Sequence, residues 1–256
     1  MKSSPLASIF YICIFILSSV VGNKTFAAVQ SQDSKNLNAI EQEIFESFSL
    51  WDEYKKFDYV DGYLDRRPLA STRKFIRYIQ DQFDSKKTVA KNPFESQLGG
   101  EIFKGVQELK KVQTATLSPK KLNTEWLNTA YKDWRSRQYD EENQIQEANT
   151  LEIMRVALQL YQSDDIEDEN NVLPFVIGDT ATSLWTAKRD LAGVISFIYL
   201  ISKNSHSEFA ELAWLKLNSH IHFMFSGSSG DHTPNSWLTL LNDLKLLSRQ
   251  KLQTLK

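Results

Sequence analysis

The stretch LAGVISFIYLI, residues 191–201, decides the fold of this chain. Its side chains are almost all apolar, and no charged residue interrupts them. Several of them are β-branched or aromatic, which is also typical of a strand. No turn residue separates the stretch from residues 186–190, however, so the length of the continuous segment favours a helix. We therefore predict a helix that is buried on most of its sides.

A second apolar helix is predicted over residues 207–225. Its first residue, Ser207, is of a type favoured at helix N-caps, and the polar pair Asn204-Ser205 ends the helix before it. Apolar residues recur within the segment at helical spacing. We expect the two apolar helices to lie antiparallel at the centre of the molecule.

The residues that precede the first apolar helix are interpreted as a loop. Residues 162–177 contain an acidic run, two asparagines and Pro174, a combination typical of a connection between helices. Asp179 or Thr180 is then expected to be the N-cap of the helix that continues to Ile201. This loop is the clearest internal boundary in the chain.

The rest of the chain is typical of amphipathic helices. Apolar residues recur at spacings of three and four in segments that begin near residues 37, 69, 122 and 141, and again after Pro234. No two segments show the alternation expected of paired strands. We predict an all-α fold, a bundle of about seven or eight helices with two strongly apolar central helices.

Residues 1–27 have the layout of a secretory signal peptide. Lys2 provides a positive charge, residues 6–21 form an apolar run, and Thr25 and Ala27 are small residues at the expected cleavage site. The run has 16 residues, whereas a membrane-spanning helix needs roughly 20. We therefore expect cleavage, a periplasmic or secreted destination, and no stable membrane anchor in the mature protein.

The mature chain, residues 28–256, is expected to fold as a single helical domain. An alternative division gives two subregions, 28–163 and 178–256, joined by the acidic loop. The only cysteine, Cys13, lies in the signal segment. The mature chain therefore cannot form an internal disulfide, and burial of a hydrophobic core must stabilise its fold.

The net charge excludes a general nucleic-acid binder. Without Lys2 and Lys24 the chain has 28 basic residues against 32 acidic ones, a net charge of −4, whereas nucleic-acid binding needs a dominant basic surface. The charge is uneven, with a balance of +5 in residues 85–124 and of −9 in residues 139–170. These segments are either two solvated helical faces or an electrostatic guide for a partner.

The histidines are the best candidates for a site, because all four lie between residues 206 and 232. His220 and His222 point about 200° apart on a helix and cannot bind one ion together. The glycine-flanked loop 227–230 can instead bring Asp231 and His232 back towards His220, and zinc needs three such ligands. This set predicts an alternative function, a zinc-dependent hydrolase of an envelope or extracellular substrate.

The acidic run DDIED, residues 164–168, matches the DDxxD spacing with which prenyl-transfer enzymes hold magnesium. The second metal-binding motif of those enzymes is missing from the chain. We interpret the run as a solvated acidic loop, with weak calcium binding as the alternative.

No complete catalytic motif is present in the sequence. The patterns GxSxG, GxxxxGKS/T and HExxH are all missing. We therefore expect an exported, non-enzymatic binding or interaction protein without a cofactor. Its expected partner is another envelope or extracellular protein, and not a nucleic acid.

Overall fold

The computed structural model describes residues 32–47, 69–85, 91–113, 122–137, 147–163, 166–184, 189–205 and 207–250. Within these ranges the chain forms an all-α bundle of nine helices with one two-stranded hairpin, in agreement with the predicted fold class. The helices are, in chain order, α1 (32–47), α2 (Ala70–Phe83), α3 (Gln97–Gln113), α4 (Thr124–Arg137), α5 (Glu147–Tyr161), α6 (Val172–Thr182), α7 (Asp190–Lys203), α8 (Glu208–Phe225) and α9 (Asn235–Gln250). The antiparallel hairpin of β1 (Ser226–Gly227) and β2 (Gly230–Asp231) joins α8 to α9.

The centre of the bundle is α7, which contains the apolar stretch from which the fold was predicted. Every residue from Ala192 to Ile201 is buried, because α7 packs against α2, α3, α6, α8 and α9. The segment is a helix, as its length indicates. Glycines let its neighbours approach closely: a Cβ on Gly193 would lie 2.8 Å from the carbonyl oxygen of Gly178 on α6.

A second helix that is buried along almost its whole length is α6, part of which was predicted to belong to the acidic loop. Pro174 does not prevent this helix, because it lies in the first turn, where its missing N–H is not needed. Asp168 accepts hydrogen bonds from the backbone N–H groups of Val172 at 2.8 Å and Leu173 at 2.9 Å. The last acid of the DDIED run is therefore a helix cap, while Asp164 and Asp165 lie outside the described residues.

Asp179 consequently lies inside a helix and does not cap one. The expected N-cap at Asp179 or Thr180 was wrong, since α6 ends at Thr182 and α7 begins at Asp190. The N-cap predicted for the next helix is confirmed: the Ser207 hydroxyl accepts a hydrogen bond from the Ala210 N–H at 3.1 Å.

The buried carboxylate of Asp243 connects the start of α2 to the last helix, α9. Asp243 on α9 is fully buried and accepts hydrogen bonds from the Leu69 N–H at 3.0 Å and from the Thr72 hydroxyl. The first turn of α2 is thereby held against the last helix.

Among the helices described, none combines the length and the apolar character needed to cross a membrane. The predicted signal segment, residues 1–27, lies outside the described ranges.

Replacement of Gly193 by alanine tests the close packing of α6 and α7. The new Cβ would have to displace the Gly178 carbonyl, which outweighs the roughly 1 kcal/mol by which alanine favours a helix. We expect Gly193→Ala to lower the free energy of unfolding by about 1–3 kcal/mol in urea denaturation. Gly227→Ala is the control, because nothing lies within 4 Å of a Cβ there. Equal losses in the two variants would contradict the packing argument.

Candidate functional site

A buried carboxylate joins three helices near the end of α6. Asp179 has a side chain that is 1% exposed, and its two oxygens contact different helices. From α4, the Tyr131 hydroxyl and the Arg135 guanidinium donate to Oδ2 at 2.7 and 3.0 Å. From α8, the Lys216 ammonium is 2.7 Å from Oδ1. The buried acid is thus fully bonded, as a charge inside an apolar helix must be.

The charges around Asp179 hold it in the ionised form. Burial alone would raise its pKa, but the positive charges of Lys216 and Arg135 outweigh this effect and lower it. Burial and the charge of Asp179 raise the pKa of Tyr131 well above its ordinary value. At neutral pH the acid therefore keeps its charge and the phenol keeps its proton, and neither is suited to exchange protons with a substrate.

A pocket of about 250 Å³ lies beside this ion cluster. One wall is the carboxyl-terminal end of α6, and the other is a single face of α8, since Lys216, Ser219, His220 and Phe223 are spaced three, four and seven residues apart. The residues that line the pocket are Asp179, Thr182, Ser183, Lys216, Ser219, His220 and Phe223. We call it the α6/α8 pocket.

His220 is the unusual residue of the α6/α8 pocket. Its side chain is 10% exposed, yet its buried Nε2 atom has no hydrogen-bond partner among the described residues. The nearest charged group is the Asp190 carboxylate at the start of α7, 3.6 Å away, which is too far for a hydrogen bond. A buried polar atom without a hydrogen-bond partner is costly to the folded state.

The hydroxyl groups on the α6 wall donate their hydrogens to carbonyl groups of α6 itself. The Thr182 hydroxyl donates to the Gly178 carbonyl at 2.9 Å, and the Ser183 hydroxyl donates to the Thr180 carbonyl at 2.7 Å. Their oxygens retain lone pairs that can accept a hydrogen bond. The pocket thus has acceptors on its α6 wall and nitrogen groups on its α8 wall.

The other predicted site residues lie elsewhere, on the hairpin that follows α8. Asp231 contacts His222 Nδ1 at 2.5 Å and accepts from Thr233. These hydrogen bonds lower the pKa of Asp231 to about 2. His232 Nε2 is 2.7 Å from the hydroxyl of Ser229.

In the structure the three residues of the zinc hypothesis have different neighbours. His220 lines the α6/α8 pocket, Asp231 is bonded to His222, and His232 is bonded to Ser229. Over the ranges that the structure describes, no three His, Cys, Asp or Glu side chains are grouped so that they could hold a metal ion.

A second pocket differs from the α6/α8 pocket in that its charged groups satisfy one another. It has a volume of about 550 Å³ and lies between the ends of α2 and α7. The Lys203 ammonium is 3.2 Å from Asp84 and lies 5.3 Å from the centre of the Tyr199 ring. The Tyr199 hydroxyl donates to Asp84 at 2.7 Å. The α6/α8 pocket is therefore the better candidate for a ligand.

Comparison with known proteins does not identify the chain. No family model, no curated protein and no solved structure matches it. Its function has to be argued from the chemistry of the α6/α8 pocket.

Sequence reasoning found His220 but missed the ion cluster beside it. Asp179 was interpreted as a helix cap, although it follows a nearly continuous apolar segment in residues 172–178. An acid in such a segment needs a buried cationic partner, and that requirement was the available signal. The partners themselves, Arg135 and Lys216, are 44 and 37 residues away, respectively.

Removal of the Asp179 charge should destabilise the fold strongly. Asp179→Asn would leave Arg135 and Lys216 next to a neutral amide inside the protein. We expect a loss of about 3–5 kcal/mol in the free energy of unfolding, measured by urea denaturation. The control is Asp133→Asn, which removes an exposed pair with Arg137 and should cost less than about 1 kcal/mol.

Acid titration of wild type and of Asp179→Asn tests the sign of the effect. The pKa of Asp179 is lowered in the folded protein, so its contribution is complete above the ordinary value of 3.8 and is lost as the pH falls through the lowered pKa. Wild type should therefore lose more stability than Asp179→Asn when the pH is reduced from 5 to 2. A parallel loss in both proteins would mean that Asp179 does not gain its stability from the charged form.

Proposed function

We propose that this chain is an exported, non-enzymatic binding protein that takes a small polar ligand in the α6/α8 pocket. The observation that carries the proposal is the concave, mostly polar α6/α8 pocket, whose lining includes His220, a residue with a buried Nε2 atom that has no hydrogen-bond partner among the described residues. The ion pair of Asp179 and Lys216 forms another part of the pocket lining. A concave site with a few convergent polar groups is the usual form of a ligand site.

The chemistry of the pocket supports binding better than catalysis. Asp179 has both oxygens occupied and a lowered pKa, so it is a poor general base. Ser219 and His220 are sequence neighbours on a helix, where adjacent side chains do not face each other. They are therefore badly placed to act together as a nucleophile and its base.

The volume of the pocket supports a small ligand. About 250 Å³ is just below the roughly 300–1,000 Å³ of pockets that hold drug-sized molecules. Phe223, a residue that is 61% exposed, adds an apolar surface to an otherwise polar lining. The expected ligand therefore has one strongly polar group and little apolar surface.

Export is the part of the proposal that rests on residues 1–27. When the full chain is produced in a secreting host, we expect the protein outside the cytoplasm with Ala28 as its first residue, because the small residues Thr25 and Ala27 suit a signal peptidase. Cell fractionation and mass determination of the intact protein check this. A cytoplasmic product that still contains residues 1–27 would contradict it.

Ligand binding can be tested with a screen of small polar compounds by thermal shift. A true ligand at ten times its dissociation constant should raise the melting temperature by about 3–6 °C. Ser219→Leu fills the pocket and should abolish the shift. Ser236→Leu, on the exposed start of α9, should leave it unchanged. Hits that persist in Ser219→Leu, or a screen without hits, would contradict the proposed site.

A further inference from the structure

We infer that a groove beside α2 binds short zwitterionic peptides of about three residues that carry an apolar side chain, at a site separate from the α6/α8 pocket. The groove has a volume of about 680 Å³ and is lined by residues from 71–81 of α2 and from 93–96, which precede α3. We call it the α2 groove. It combines an aromatic surface, unpaired charges of both signs, and a separation of those charges that matches the length of a peptide.

The aromatic surface consists of three rings. Phe75, Tyr78 and Phe94 line the groove, and the Phe94 ring lies 5.0 Å from each of the other two in edge-to-face geometry. Tyr78 and Phe94 are only partly buried, so the fold leaves part of this cluster accessible. Tyr78 contributes its ring alone, since its hydroxyl oxygen is buried. An apolar side chain that covers these rings gains free energy on binding.

The wall opposite α2 is held in place by contacts within the chain. Asn92 Oδ1 accepts a hydrogen bond from the Phe94 N–H at 2.9 Å, and Ser96 Oγ accepts one from the Gly99 N–H at 3.1 Å. Phe94 packs so closely on Gly99 that a Cβ there would lie 2.7 Å from the Phe94 Cγ atom. A wall that is formed in advance loses less entropy when a ligand binds.

The charges that line the groove are balanced and unpaired. Lys74 and Arg77 are positive, Asp81 and Glu95 are negative, and all four residues are exposed. Within the described part of the chain, none of these four side chains forms an ion pair or a hydrogen bond. Arg77 and Asp81 have the four-residue spacing of a helical ion pair and still do not form one. A ligand with one charge of each sign therefore fits the lining better than a simple anion or cation.

The spacing of the charges sets the length of the ligand. Lys74 and Asp81 are seven residues apart on α2, so they are separated by about 10 Å along the helix axis. Tyr78 lies between them on the same face. An extended chain of three residues also spans about 10 Å, which would place its carboxylate near Lys74 and its ammonium near Asp81. A free amino acid carries both charges on one carbon atom and cannot reach both ends.

The other two charged side chains suit a peptide backbone. Arg77 has only hydrogen-bond donors, whereas the carboxylate of Glu95 only accepts. A peptide bond provides a carbonyl group for Arg77 and an N–H group for Glu95. A zwitterion without amide groups would leave these two side chains without such contacts, so the chemistry of the groove favours a peptide.

Tripeptides with modified ends provide the test, by two-dimensional NMR titration of the isotope-labelled purified protein. The probes are Ala-Phe-Ala, its N-acetyl form, its C-terminal amide, Ala-Ala-Ala and free phenylalanine. We expect Ala-Phe-Ala to cause saturable shift changes centred on residues 71–81 and 93–96. Each blocked form should bind about two- to fivefold more weakly, because it loses one exposed ion pair. Ala-Ala-Ala should bind about tenfold more weakly, since it lacks the ring, and free phenylalanine should also bind more weakly than Ala-Phe-Ala.

Matched variants then assign each end of the peptide. Asp81→Asn should weaken binding of Ala-Phe-Ala by about two- to fivefold but should not change the affinity for the N-acetyl form, which has no ammonium. Lys74→Gln should likewise weaken binding of Ala-Phe-Ala but not of its amide. The controls are Asp133→Asn and Lys132→Gln, which change exposed charges on α4 and should leave all affinities unchanged.

Several results would overturn the inference. Blocked peptides that bind as tightly as Ala-Phe-Ala would mean that the charges do not select the ligand, and equally tight binding of free phenylalanine would contradict the assigned length. Shift changes centred elsewhere, or no saturable change at about 10 mM peptide, would mean that the groove is not a peptide site. A dimer in analytical ultracentrifugation that Lys74→Gln or Asp81→Asn abolishes would mean that a second copy of the chain occupies the groove.

The two proposed sites can fail separately. The compound screen for the α6/α8 pocket is made without peptides, and Ser219→Leu should leave binding of Ala-Phe-Ala unchanged. Loss of peptide binding in Ser219→Leu would contradict a separate site at the α2 groove.

Discussion

The Asp179 carboxylate lies in the middle of an otherwise apolar helix and connects α6 to α4 and α8 through Arg135 and Lys216. Burial of an ion pair carries a desolvation penalty of several kcal/mol per ion, which only close hydrogen-bonded geometry offsets. The three helices must therefore keep their relative positions for the charge to remain satisfied. Asp179 and Lys216 also line the α6/α8 pocket, so the position of the pocket depends on this ion cluster.

The fold was predictable where the signals are local. The length of the apolar stretch in α7 and the cap at Ser207 are read from neighbouring residues, and the structure confirms both. The start of α6 was not predictable in the same way, because Pro174 and the acidic run resemble a loop. Asp168 reconciles them with a helix, because its carboxylate accepts hydrogen bonds from the N–H groups of Val172 and Leu173 in the first turn.

The candidate site was less predictable than the fold, because its decisive contacts are distant in sequence. His220 was recognised as a candidate from its type, but its neighbour Asp190 belongs to another helix. The zinc hypothesis combined His220 with Asp231 and His232. These two residues are close to His220 along the chain, but they are bonded to other side chains. Spacing on one helix predicts a shared face, whereas contact between helices depends on the whole packing.

The hairpin after α8 gives experimental access to this region. Its turn is exposed, and a Cβ at Gly227 would meet no atom within 4 Å. A cysteine introduced at Ser228 would be the only thiol beyond residue 27, so a fluorescent dye could be attached at that point alone. The hairpin directly continues the helix that carries His220 and Phe223. A labelled protein of this kind would be the starting point for an optical sensor of whatever molecule the bundle binds.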